Sequence, residues 1–146
     1  MKIVAQIVQN ARVEVAKKQI AEIKYGLLLL VSFTHTDTIE DVNYLADRVL
    51  KMRIFPDQSD KTNLSILNIN GAILSVSQFT LYGDLKSRRP SFTNVLPGAE
   101  SEALYAAFNA RLAEEVTVAT GEFGAKMLLT FTNVGPVTYI LDSNER

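Results

Sequence analysis

Apolar and polar residues alternate loosely through Lys2–Val8 and cleanly through Arg12-Val13-Glu14-Val15. A period of two marks a strand with one buried face, so two strands are expected there. Lys17-Lys18-Gln19 predicts a turn into a short third strand at Ile20–Ile23. The apolar run Leu27–Phe33 predicts a strand covered on both faces. The period then lengthens. Thr38 is placed to cap a helix whose first turn holds Glu40 and Asp41, and Val42, Leu45, Ala46, Val49 and Leu50 form one stripe. Phe55-Pro56-Asp57 closes that unit. Leu64–Leu67 and Ala72–Val76 are expected to pair through the turn Asn70-Gly71. Gly83–Pro97 is polar, broken by Pro90 and Pro97, and reads as a long loop of the kind that often carries function. A second helix is expected over Ala99–Glu115, with Leu104, Ala107, Phe108 and Leu112 on one face. Lys126–Thr132 and Val137–Leu141 read as two strands around Asn133-Val134-Gly135-Pro136. This order predicts an α/β fold: a single mixed domain over residues 1–146, with a dominant, partly barrel-like sheet and two main helices.

Composition narrows the chemistry. Hydrophobic residues are 47% of the chain, enough for a real core. The longest apolar run, Leu27–Val31, is too short to span a membrane. No leader-like segment follows Met1, so a cytoplasmic location is the expectation. There is no cysteine and one histidine, His35. Thiolate nucleophiles and cysteine-based zinc sites are excluded, and any imidazole base must be His35. That residue sits in Thr34-His35-Thr36-Asp37 without ligand spacing, so it reads as a surface or capping residue. No metal and no cofactor are expected. A net charge of -1 leaves only local patches to hold RNA. Lys17-Lys18 and the triplet Lys86, Arg88, Arg89 are the candidates, though runs of this kind are more often solvated loops.

Four segments are candidates for chemistry. Ser77-Gln78-Phe79-Thr80-Leu81 puts hydroxyls and an amide at the end of a buried strand. Gly135-Pro136-Val137-Thr138 combines a residue that permits close approach with an X-Pro bond that tolerates cis. Arg89-Pro90-Ser91-Phe92 lies in the long loop. Thr120-Gly121-Glu122-Phe123-Gly124-Ala125-Lys126-Met127 sets an aromatic between glycines, readable as a stacking platform for a base or as a side chain folded back on the core.

Taken in chain order, with Gly135–Thr138 last, the four segments resemble the D-aminoacyl-tRNA deacylase family, together with Arg53-Ile54-Phe55, Asn63-Leu64 and Leu104-Tyr105 with Phe108. The resemblance covers nearly the whole chain. It implies hydrolysis of the ester of D-aminoacyl-tRNA, and of glycyl-tRNA, as a chiral proofreading step at the aminoacyl-tRNA 3′ end. It implies a homodimer with sites at the subunit interface, where Gly135-Pro136, cis in D-specific members, enters the partner's pocket facing Ser77–Thr80. Val137 and Thr138 flank that pair, Phe123 stands where the terminal adenine is expected, and Met127 belongs to the binding segment. An L side chain is then excluded sterically, whereas glycine is not. Main-chain N–H groups near Phe79 and Thr80 suffice to stabilise an oxyanion from so reactive an ester. Thr80 is read as a positioning residue rather than a nucleophile, since no base is visible to activate it.

Three departures from the family stand out. Where members carry Gln-Arg-Val, this chain has Gln6-Ile7-Val8, and the arginine that is associated with holding the Gly-Pro loop is absent. Ala21 and Lys24 replace usual glycines, so a different turn is expected there. Asp60-Lys61-Thr62-Asn63 stands for Gly-Lys-Met-Asn, which changes a pocket methionine to Thr62. Ile7 motivates one alternative, a deacylase of relaxed chirality. The other alternative is a catalytically silent tRNA-binding or dimerisation module.

Overall fold

A computed structural model describes residues 1–146. Two long strands, β1 (Lys2–Val15) and β2 (Lys18–Ser32), form an antiparallel hairpin. Helix α1 (Ile39–Lys51) follows, then a small ribbon of β3 (Phe55–Pro56) and β4 (Thr62–Leu64), then β5 (Ala72–Ser77). Helix α2 (Gly98–Ala113), β6 (Thr117–Thr120) and the long β7 (Met127–Asp142) complete the chain. The main sheet runs β6-β5-β2-β1-β7, antiparallel around β1 and parallel from β2 through β5 to β6.

Several expected boundaries are corrected. The first two expected strands are one, because Asn10 takes a positive φ of 51° and inserts a bulge instead of a break. A bulge shifts the alternation by one residue. Ile3, Ala5 and Ile7 therefore face the helices, while Val8, Ala11 and Val13 all face the opposite side. The hairpin turn is Ala16-Lys17, both at positive φ as in a tight two-residue turn. Ala21 and Lys24 consequently lie inside β2, not in a turn. Leu64–Leu67 does not pair with β5. Asn70-Gly71 instead leads into β5, whose partners β2 and β6 are both parallel. The last two expected strands are the single β7, interrupted by a bulge at the Gly-Pro motif.

Helix α1 begins as expected. Thr38 and Asp41 form a reciprocal capping box, and the stripe Val42, Leu45, Ala46, Val49 and Leu50 is buried. In α2, Phe108 and Leu112 are buried, with Ser101 and Tyr105 beside them. Both helices cover one face of the sheet, packing on Ile3, Leu27, Leu29, Val31 and Ile73. The other face carries a smaller buried cluster of Val8, Val13, Leu28, Leu74 and Val76. Leu27–Val31 is thus apolar throughout because alternate residues fill different cores, as for a strand covered on both faces. β2 and β5 approach closely at Gly26, where φ is +150° and an added Cβ would stand 1.8 Å from the Ala72 carbonyl oxygen.

Candidate active site

β5 ends at Ser77, and the chain turns at once into a short 3₁₀ turn over Phe79–Tyr82. Gln78 makes the last ladder bond, its N–H donating to the Val31 carbonyl at 2.7 Å. Phe79 and Thr80 open this turn, and the first N–H groups of a helix have no acceptor within it. The Thr80 hydroxyl accepts from the Gln78 side-chain amide at 2.5 Å, so its own proton is free to point outward. The Phe79 ring, 54% exposed, turns away from the core and meets Phe92 edge-on at 5.0 Å.

A cleft of about 430 Å³ opens beside this strand end. Ser77, Gln78 and Phe79 form one wall with Val31 and Ser32 of β2. Phe123, Gly124, Ala125 and Met127 form another, and Leu96, Pro97, Gly98 and Ser101, leading into α2, close the third. No residue lining it carries a titratable side chain. Phe123 is half-buried, packed on Tyr105 at a centroid distance of 5.9 Å while its other side faces the cleft. It thus folds back on the core and still presents a surface to a ligand. The Tyr105 hydroxyl donates to the Ser75 carbonyl at 2.8 Å and ties this wall to β5. Burial pushes the Tyr105 phenol above its ordinary value, so it is neutral and donates at working pH.

The long loop is anchored at its return. The Thr34 hydroxyl donates to the Asn94 carbonyl at 2.6 Å, and the Leu96 N–H donates to the Phe33 carbonyl at 3.0 Å. His35 Nε2 lies 2.9 Å from the Thr93 carbonyl, which requires that nitrogen to carry the proton. His35 therefore holds the loop and does not line the cleft. The loop's tip, closed by a bridge between Asp84 and Ser91, carries Lys86, Arg88 and Arg89 exposed to solvent.

The Gly135–Pro136 bond is cis. Opposite Ile7 the β1–β7 register jumps from Val8↔Asn133 to Gln6↔Thr138, so Val134–Val137 bulges out of the sheet. Gly135 and Pro136 form its exposed knuckle, with Gly135 at a φ of +115°. None of Gly135, Pro136, Val137 and Thr138 lines the cleft of its own chain. Leu129 is the last β7 residue in the cleft, and Gly135 lies further along the strand, past the register shift at Asn133. Of the residues singled out from sequence, Ser77, Gln78, Phe79, Phe123 and Met127 share the cleft, and Thr80 adjoins it. Thr62 is exposed on β4 and is not part of the lining. Sequence reasoning missed Ser32, the Leu96–Gly98 wall and Asn133, whereas Ala125 lay within the segment singled out around Phe123. Pro97-Gly98 ahead of a helix was the available signal for the wall.

The family model described as D-Tyr-tRNA(Tyr) deacylase matches residues 4–142. This chain belongs to that family. It is 51% identical to a Listeria monocytogenes serotype 4a protein named D-aminoacyl-tRNA deacylase, covering 99% of this chain and 97% of that one. A protein of the same name from Bacillus licheniformis is 49% identical, with coverage of 98% and 99%. Among solved structures, one described as c-Myc DNA Unwinding Element Binding Protein superposes with a TM-score of 0.93 at 34% identity, covering 97% of this chain and 98% of that chain. Another, described as a probable eukaryotic D-amino acid tRNA deacylase, has a TM-score of 0.86 at 18% identity, covering 96% and 97%, and shares the fold.

Proposed function

We propose that this chain hydrolyses the ester bond of D-aminoacyl-tRNA, and of glycyl-tRNA, releasing the free amino acid. The observation that carries the reading is a cleft free of titratable side chains, with the two opening main-chain N–H groups of a 3₁₀ turn at its rim. An aminoacyl ester is already activated, so fixed donors aimed at the developing oxyanion do most of what is needed. The Phe79 and Thr80 N–H groups are those donors. Ser77, Gln78 and Thr80 orient the aminoacyl group and the attacking water, and the substrate's own 2′-hydroxyl assists. Phe123, with Met127 beside it, receives the terminal adenine by stacking.

The knuckle completes the site from a second copy. A chain's own Gly135 does not line its own cleft, and Gly135 and Pro136 are exposed with nothing packed over them. β7 is also an edge strand with Leu128, Tyr139 and Ile140 exposed, a surface a partner would cover. An isologous dimer puts each knuckle into the other's cleft, with the Val137 and Thr138 backbone flanking it. The knuckle fills the space an L side chain needs, while glycine passes. Lys86, Arg88 and Arg89 meet acceptor-stem phosphates; replacing all three should flatten the salt dependence of KM, and an unchanged slope would remove that contact. On this reading the protein works in the cytoplasm, where tRNA is charged.

The deciding experiment is amino-acid release from D-tyrosyl-, L-tyrosyl- and glycyl-tRNA by the purified protein. Release from the D and glycyl esters alone is expected. Release from L at a comparable rate would make this a relaxed deacylase. No release with retained binding of tRNA would leave the silent-module alternative.

A further inference from the structure

We infer that Asn133 is a positioning residue for the reaction, one that fixes the Gly135–Pro136 knuckle and thereby the preference for D over L esters. The inference rests on the reading that the knuckle enters a partner's cleft. Asn133 stands at the neck of the bulge, where β7 leaves its register with β1. Its side-chain nitrogen donates to the Ile7 carbonyl at 2.9 Å and to the Val137 carbonyl at 3.0 Å. Both amide protons are therefore spent. One closes the neck from Asn133 to Val137, and the other ties that neck to β1.

The Ile7 carbonyl needs this donor. It lies opposite the bulge, where the strand ladder supplies no paired residue, and a carbonyl left without a donor is costly. The Ile7 side chain does not help, since it is apolar and buried beneath the helices. Beyond Asn133, the only side-chain hydrogen bond near the motif is Gln6 Nε2 donating to the Thr138 hydroxyl at 3.2 Å. The knuckle itself makes none. Val134 and Val137 pack against the core on either side of it, and one amide closes the neck between them, where only an amide fits. Aspartate has the same shape but donates nothing, and would set a carboxylate against two carbonyl oxygens.

A steric filter discriminates only if its wall stays put. A knuckle that moves admits an L side chain, while glycine, with no side chain to reject, is affected least. This distinguishes positioning from general structural support. We would measure kcat and KM on D-tyrosyl-, L-tyrosyl- and glycyl-tRNA for Asn133→Ala and Asn133→Asp, with thermal midpoints and sedimentation, beside Gly135→Ala. The expected result is a folded dimer in which the D-to-L ratio of kcat/KM falls at least tenfold for both Asn133 variants, while glycyl-tRNA changes by less than about threefold. Should Asn133→Ala not fold, Asn133→Gln, which keeps both donors on a stem one methylene longer, carries the same comparison, with a smaller fall expected.

Equal losses on all three esters, with a lowered thermal midpoint, would reduce Asn133 to a structural residue and overturn the inference. An unchanged D-to-L ratio in the Asn133 variants, with Gly135→Ala impaired, would overturn it and leave the knuckle reading intact. Unchanged kinetics in Gly135→Ala as well would remove both.

Discussion

Thr80→Val separates two mechanisms by orders of magnitude. The substitution keeps the branched shape and removes one hydroxyl. In the structure that hydroxyl accepts a single hydrogen bond, from Gln78 Nε2 at 2.5 Å, at an exposed position. Neither a carboxylate nor an imidazole lines the cleft to deprotonate it. Losing a positioning contact of this kind costs about 0.5–1.5 kcal/mol, which is about 2- to 13-fold in kcat/KM. Losing a covalent nucleophile costs on the order of 10⁶ in kcat where the nucleophile carries the reaction. Single-turnover release of labelled tyrosine from D-tyrosyl-tRNA, at saturating enzyme, reads the chemical step directly. We expect a loss within about one power of ten. A loss beyond about 10³, with substrate binding unchanged, would refute the base-free account and return Thr80 to the role of nucleophile.

Further outcomes follow from other parts of the structure. Gly135→Ala and Ala125→Trp should each inactivate the protein, one by spoiling the knuckle and the other by filling the cleft. Co-refolded together they should recover about one quarter of wild-type activity, because half the dimers then hold one intact site; no recovery in a proven heterodimer would defeat the shared site. Gly26→Ala drives a methyl group to 1.8 Å from the Ala72 oxygen at a φ foreign to alanine. Overpacking and backbone strain together should cost at least about 2 kcal/mol, or at least about 6 °C in Tm by calorimetry, and an unshifted midpoint would contradict the β2–β5 spacing. The Asp41 carboxyl is lowered from 3.8 to about 2: burial pushes it up, but hydrogen bonds from Thr38, Ser143 and Arg146 outweigh this. A lowered folded value stabilises above pH 3.8 and is lost as pH falls toward about 2. Thermal midpoints should therefore drop through that window, and less steeply in Asp41→Asn; identical slopes would show that Asp41 is not responsible.

The helices were legible because their signals are local. Thr38, Asp41 and the stripe from Val42 to Leu50 sit within one periodic segment, and the structure keeps them together. The sheet was less legible, for reasons that lie outside any local window. β5 pairs in parallel with β2 and β6, partners distant in sequence, so Asn70-Gly71 looked like a hairpin that does not exist. Asn10 hid the continuity of β1, because a bulge shifts the alternation in the way a strand break would. The site divides similarly. Ser77–Phe79, Phe123 and Met127 belong to recognisable motifs, and they gather at one cleft. Ser32, Leu96 and Asn133 act by where folding brings them. Asn133 in particular reads as an ordinary polar residue beside a turn until its two carbonyl partners are seen.

On the proposed reading, a filter built from main chain suits the discrimination between D and L esters. Side chains read side chains, but the difference between D and L lies in where one substituent leaves the α-carbon. A filter for that difference must reject every L residue while accepting every D residue, whatever its size or charge. Backbone can do this, since it presents the same surface for all substrates and cannot swing aside as a long side chain does. Here a glycine and a proline project from a bulge, and in the proposed dimer the partner's pair forms the wall over a cleft that holds no ionisable residue. The absence of a strong base also limits damage to correct products. A site with an activated nucleophile would hydrolyse any ester that entered it even briefly. One that relies on placement rewards only esters held in register with its donors. The same geometry thus serves rate and selectivity, and its weakest point is the hold on the knuckle, which rests on the amide of Asn133.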